Sequence, residues 1–484
     1  MDIITEYLTS QNRFIEYFRE SVPVIFAGGL LYNYYKGRIT ALETILYAFA
    51  TEAYNMIMIG PTLTATFFIS MVFMLEQFHN LFTGKLRIKQ RYLLLLVLPL
   101  LSSLAVFFVI QLFKNPFYYP PGKMLSFYMR PFYFYFKTYL PLFALGTRIL
   151  QEKNEISLDH FYGLMKKIAK VSMVLCLLQI ISQLGLKSIE AGEILGLQRR
   201  YMLEQSASLF SLRLQASFSE PKIYSAFLSL CIPLFLKDRQ YLYAFLSFLL
   251  GVLTISQTFY INLLAGGIIF LMIGKIHSVR VKVFATLGIV IGLFALISGS
   301  KEYFFKLYMK NQGDPVYDII FKRSVNRYDN YDIYQKDNVV WGMPLQRDME
   351  LPVVDFLRHE PYLLITGYGP GNSTFIPSEY FYGQVNYDDH VAGNGSHNLN
   401  MRWFYLAAEF GILALIIIFS IFTQAQPGIT TFQGSYLGYA WVCFFFSQID
   451  LLLVITALLT TSASVPETEP EPVAVTLKES YAGY

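Results

Sequence analysis

Charge is scarce in this chain. Of its 484 residues only 15% are Asp, Glu, Lys or Arg, and 54% are hydrophobic. Soluble domains carry about 25% charged residues. The net charge is only +4 and no basic block exceeds a short loop cluster, which speaks against a nucleic-acid partner. Cysteine is scarcer still. Cys176, Cys231 and Cys443 all lie in apolar stretches and no Cys-x-x-Cys occurs, so neither a disulfide framework nor a zinc site is expected. Internal repeats are missing too, which disfavours transporter folds built from paired halves. The N-terminus, MDIITEYLTSQNRFIEYFRE, is polar and amphipathic, unlike a cleavable signal peptide.

What the chain has instead is long apolar runs, such as Tyr92 to Phe113 and Val283 to Ile297. Runs near 20 residues match the roughly 30 Å hydrocarbon core of a bilayer. The expected fold is therefore all-α: a polytopic transmembrane helical bundle of about eleven or twelve spans with one large external loop. Spans are expected near 39–60, 62–82, 92–113, 125–145, 164–186, 221–236, 240–256, 258–274, 281–299, 401–422 and 435–461. The shorter apolar stretch 22–35 is either a first span or a re-entrant segment.

Basic residues orient this scheme, because cytoplasmic loops retain Lys and Arg. The loop with Lys85, Arg87, Lys89 and Arg91, the stretch Arg148 to Lys170, Lys237 to Arg239, and Lys275 to Lys282 all fall on one side. The segments 114–124, 187–220 and 300–400 then fall outside, and the expected location is a bacterial inner membrane with the site on its periplasmic face. Four regions follow: transmembrane helices over 1–299, a large periplasmic loop over 300–400, transmembrane helices over 401–461, and a disordered acidic tail over 462–484. Loops as long as 300–400 are often functional lids. Within it, 347–359 reads as an amphipathic helix lying on the membrane.

Two stretches carry chemistry. One is RLQASFSEP, Arg213 to Pro221, just before an apolar run. The other begins with GYGPGN at Gly367 and reaches GSHNLNMRWFYLAAEFG, ending at Gly411. Together they resemble the O-antigen polymerase and ligase superfamily, the Wzy-type enzymes. The matching residues are Arg213, Phe218, Glu220 and Pro221, then Gly367, Gly369 and Gly371, then His397 and Asn398, with Glu409 and Gly411 beyond. The segment LTISQ, Leu253 to Gln257, departs from the family by placing Gln257 where an arginine is usual.

That resemblance implies a metal-independent enzyme without cofactor. Its substrate would be an undecaprenyl-diphosphate-linked oligosaccharide met at the lipid bilayer, and a chain-length-regulating co-polymerase would be a partner. The reaction moves a glycan from the diphosphate to an acceptor hydroxyl. Such a protein must hold the diphosphate, align the acceptor and remove a proton. Arginine suits the first task through its two-point fork. Histidine suits the last, with an unperturbed pKa near 6.5. The implied catalytic residues are His397, Arg213 and Glu220. Asn398, Arg130, Lys322, Arg323, Arg327, Gly367, Gly369 and Gly371 would bind substrate.

Each residue has a plainer reading. Arg213 anchors a span, His397 caps a helix, Glu220 before Pro221 is a helix-entry acid, the glycines make turns, and Lys322, Arg323 and Arg327 form a solvated face. Arg130, Lys137, Glu43 and Glu52 fall within expected spans, where charges default to functional or paired roles. A polymerase making O-antigen, capsule or exopolysaccharide is the leading reading. A ligase of the same chemistry and a flippase or transporter of lipid-linked sugars are its alternatives.

Overall fold

In the computed structural model the described residues fold mainly into helices of 5 to 24 residues. The structure describes residues 21–54, 56–58, 62–85, 124–136, 140–152, 157–181, 214–254, 256–268, 301–314, 339–340, 343–344, 350–381, 402–422, 430–447 and 450–462, and isolated positions between 101 and 108 and at 281, 288 and 292. A helical segment over 21–35 precedes α1 (Ala41–Ala50), the hairpin strands β1 (Met56–Met58) and β2 (Thr62–Thr64), and α2 (Ala65–Phe82). Then come α3 (Met124–Phe134), α4 (Leu140–Gln151), α5 (Leu158–Ile181), α6 (Pro221–Lys237), α7 (Tyr241–Leu253), α8 (Gln257–Ile268) and α9 (Lys301–Lys310). A two-residue hairpin, β3 (Val339–Val340) and β4 (Met343–Pro344), precedes α10 (Glu350–His359) and α11 (Tyr362–Thr366). After two 3-10 turns, Asn372–Phe375 and Ser378–Phe381, the chain ends in α12 (Arg402–Phe422), α13 (Thr431–Phe446) and α14 (Asp450–Ser462).

Local signals start these helices. Thr40 and Glu43 close a capping box on α1, and Thr430 and Gln433 do the same for α13. Pro221 opens α6 at the first helical position, where its missing N–H costs nothing. α6 is buried on nearly every side and packs on α5, α7, α8 and α13. α14 then links α13 to α4 and α5, and α4 carries α2. At the edge of α4, Arg148 stands 3.6 Å from Glu76 and 3.4 Å from Glu152. The Tyr34 hydroxyl donates to Glu152 at 2.6 Å, so 21–35, α2 and α4 share one polar knot.

The polytopic bundle expected from the apolar runs is not what the structure contains. Among the described residues no helix is long and apolar enough to cross a membrane. That overturns both the transmembrane fold and the multi-pass inner-membrane location. Local breaks are the physical reason. The run 39–60 yields the 10-residue α1, which ends at Thr51 and gives way to β1 and β2. At 1.5 Å per residue such a helix covers about 15 Å, roughly half a hydrocarbon core. The run 125–145 divides into α3 and α4, and 435–461 divides into α13 and α14 around Ser447. α5, at 24 residues, is long enough but carries Asp159, Lys166, Lys167 and Lys170. α12 is broken at Gly411, whose φ of 78° and ψ of 165° are not helical. The expected spans 92–113 and 281–299, apart from those isolated positions, lie outside the described residues, as does the tail beyond Ser462. Not all apolar surface is turned inward, for Leu242, Phe245 and Val174 stay well exposed on α7 and α5.

Candidate functional site

Residues 214–219 form a loop whose side chains are all buried, an uncommon state for a connection. Ala216 holds a φ of 50°, a left-handed torsion that costs an alanine about 1–2 kcal/mol. The amide of Gln179, near the end of α5, holds it there. Its Nε2 donates to the Ala216 carbonyl at 2.9 Å, and its Oε1 accepts from the Ala216 N–H at 3.1 Å. The Ser217 hydroxyl donates to the Ala50 carbonyl, and the Ser217 carbonyl accepts from the Ala53 N–H at 2.9 Å. Phe218 is fully buried, with its ring centre 4.8 Å from that of Phe227 and 5.8 Å from that of Phe49.

This loop delivers Glu220 to the head of α6. Glu220 sits at the capping position yet makes no side-chain cap hydrogen bond, whereas Glu43 spends its carboxylate on a capping box. Beside it stands Glu52, half-buried just past α1. Glu52 accepts from the Ser219 hydroxyl at 2.9 Å and from the Thr66 hydroxyl at 3.4 Å. Burial pushes its carboxyl from 4.5 up to about 7. The two hydroxyls pull the other way, and the Glu220 carboxylate adds to the upward push. The result is a carboxyl poised to exchange a proton near neutral pH, next to a second acid. The sequence places Glu52 in an expected span, where a charge is costly, and no local pattern joins it to Glu220.

The second cluster is the Gly-rich turn. The Tyr368 N–H donates to the Ala408 carbonyl at 2.8 Å, and the Gly369 N–H to the Glu409 carbonyl at 2.9 Å. These are the carbonyls released where α12 breaks. The backbones meet so closely that a Cβ on Gly367 would lie 2.2 Å from the Glu409 carbonyl oxygen. One on Gly411 would lie 2.2 Å from the Ile365 oxygen. Both glycines also have positive φ, 77° and 78°. The fully buried Glu409 carboxylate accepts from the Gly371 N–H at 2.7 Å and from the Ser373 hydroxyl at 2.8 Å.

Aromatic rings wall this turn. Tyr368 lies 5.2 Å from Phe127 of α3 and 4.9 Å from Phe356 of α10, centre to centre. The Arg130 guanidinium stands 5.3 Å from the Phe375 ring centre, a cation–π distance. Pro131 is so close that its Cγ would lie 3.3 Å from a Cβ on Gly369.

Among the residues expected to bind substrate, then, Arg130 comes together with Gly367, Gly369 and Gly371. Glu220 stands instead with Glu52. Arg213, His397, Asn398, Lys322, Arg323 and Arg327 lie outside the described residues. No local pattern in the sequence marks Gln179, Ser219 or Ser373. In the sequence Glu409 stands out only as part of the Glu-x-Gly resemblance with Gly411. Comparison of the chain with known protein families, curated proteins and solved structures finds no match. The resemblance to the O-antigen polymerase and ligase superfamily accordingly rests on the motif residues themselves.

Proposed function

We propose that the chain is a glycosyl transferase that polymerises undecaprenyl-diphosphate-linked oligosaccharide repeat units. The observation that carries this reading is the placement of Glu52 beside Glu220 at the end of the buried 214–219 loop. Transfer to a hydroxyl needs a group that accepts a proton near neutral pH. A carboxyl held up to about 7 is matched to that task.

In the proposed step the acceptor oxygen attacks the anomeric carbon of the donor. The bond from that carbon to the diphosphate oxygen breaks, and the diphosphate leaves with the electron pair. The acceptor proton passes to Glu52. The Glu220 carboxylate beside it favours the proton's arrival on Glu52.

The test is polymerisation in vitro from a synthetic undecaprenyl-diphosphate oligosaccharide. The wild-type chain is expected to give a ladder of products, with turnover rising as pH climbs through about 7. Glu52→Gln is expected to lower turnover by roughly 10²–10⁴ while donor binding survives. Near-normal turnover in Glu52→Gln removes the carboxyl from the mechanism. Transfer of one intact glycan to a foreign acceptor, without a ladder, favours a ligase. Absence of any transfer by the wild-type chain overturns the reading.

A further inference from the structure

Away from both clusters, a cavity of about 230 Å³ opens between the start of α5 and the end of α6. Asp159, Tyr162 and Lys166 line it from α5, and Leu234, Lys237 and Asp238 from the other side. The four charges are paired across the two helices. Lys166 meets Asp238, and the Lys237 ammonium lies 3.6 Å from an Asp159 oxygen. Their sum is zero. Lys237 also stands 5.5 Å from the ring centre of Tyr162 and 4.9 Å from that of Phe432. Tyr162 is only 3% exposed, and its hydroxyl is buried without a hydrogen-bond partner among the described residues. The hydroxyl of Tyr436, whose ring centre is 4.9 Å away, is in the same state. Unsatisfied buried hydroxyls are costly, and one of the two belongs to Tyr162, which lines the cavity.

We propose that this cavity binds a small neutral polyhydroxylated ligand, one with vicinal hydroxyls such as a single sugar ring. Charge balance decides the class. An anion would be drawn by two ammoniums and repelled by two carboxylates, and a cation would meet the reverse. A neutral diol needs neither ion pair broken. Each ammonium has three donors and each carboxylate about four acceptor sites, so both pairs keep spare capacity. One ligand hydroxyl accepts from a lysine and donates to an aspartate, and its neighbour repeats the pattern on the second pair. Such charge-assisted bonds are roughly twice as strong as neutral ones. Size sets the upper limit. The cavity is smaller than the roughly 300–1,000 Å³ pockets that enclose drug-sized ligands, so one ring fits and a chain does not.

This inference stands apart from the glycan-transfer reading, because the cavity shares no residue with Glu52, Glu220 or the Gly-rich turn, and its test measures binding alone. Ligand-observed NMR titration of the full-length chain is run with methyl α-glucoside, N-acetylglucosamine, myo-inositol, inorganic phosphate and ethanolamine. At least one of the three polyols is expected to bind saturably and more tightly than phosphate or ethanolamine. Lys237→Met is expected to weaken that binding about tenfold. Asp159, whose side chain is 79% exposed, is replaced without risk to folding. Asp159→Asn is expected to weaken the polyol severalfold and to admit phosphate, since the cavity then carries a net positive charge. Failure of all three polyols to bind, preference for phosphate or ethanolamine in the wild-type chain, or unchanged polyol binding in Asp159→Asn overturns the proposal.

Discussion

The 214–220 loop and the Gly367–Ser373 turn both hold positive backbone torsions in buried places, by opposite means. In the turn the strained positions are glycines; Gly369 is bonded backbone to backbone at the break in α12, and the Glu409 carboxylate holds Gly371. In the loop the strained position is an alanine, and a distant glutamine side chain supplies both of its hydrogen bonds. The turn is therefore limited by space, the loop by a partner. An added Cβ at Gly367 or Gly411 should break the first, and loss of the Gln179 amide should break the second.

The largest effect is expected at Gly411. An added Cβ meets the backbone of Ile365 and Gly367 and requires a torsion alanine resists. Gly411→Ala should lower unfolding free energy by about 4 kcal/mol or more, or prevent folding. A denaturant midpoint near that of the wild-type chain would break the comparison. Gln179→Ala comes next. It leaves the Ala216 N–H and carbonyl buried without partners and should cost about 2–4 kcal/mol by the same measurement. Gln179→Glu keeps the acceptor and loses the donor, so it should fall between.

A smaller effect separates the two regions by pH. Glu52 has a folded-state carboxyl raised from 4.5 to about 7, so the folded chain holds that proton more tightly than the unfolded chain. The stabilisation is complete below pH 4.5 and disappears as pH rises through about 7. For a half-buried group it is on the order of 2 kcal/mol. Glu52→Gln should flatten this part of the stability–pH curve, and an unchanged slope would contradict the burial argument. Ala216→Gly gives the smallest change. It relieves the left-handed torsion but loosens the unfolded chain, for a net gain of about 0.5 kcal/mol. Destabilisation by more than about 1 kcal/mol would mean that the torsion is not strained.

Several helices are legible in the amino-acid sequence. The apolar runs 62–82, 221–236, 240–256 and 401–422 match α2, α6, α7 and α12 within a few residues. Their continuity is not legible. An apolar run marks burial without saying what covers it, and small local features cut the runs: Thr51 before a hairpin, Ser447 between α13 and α14, Gly411 inside α12. The candidate site was half legible. Glu220 and the three turn glycines stand out because proline and glycine punctuate the chain. Gln179 and Glu409 act on backbone 37 and 38 residues away, a separation that no local pattern carries.

The break in α12 also bears on how slowly the protein trades protons with its solvent. A loop ordinarily surrenders its amide hydrogens within moments. Here the amides of Tyr368, Gly369 and Gly371 are locked onto α12 and enclosed by its neighbours. Deuterium can reach them only when Gly367 and Gly411 part, which separates α11 from α12 altogether. These three loop amides should then keep time with the global opening of the fold rather than with local fraying, leaving a glycine-rich turn among the last places in the chain to take up label.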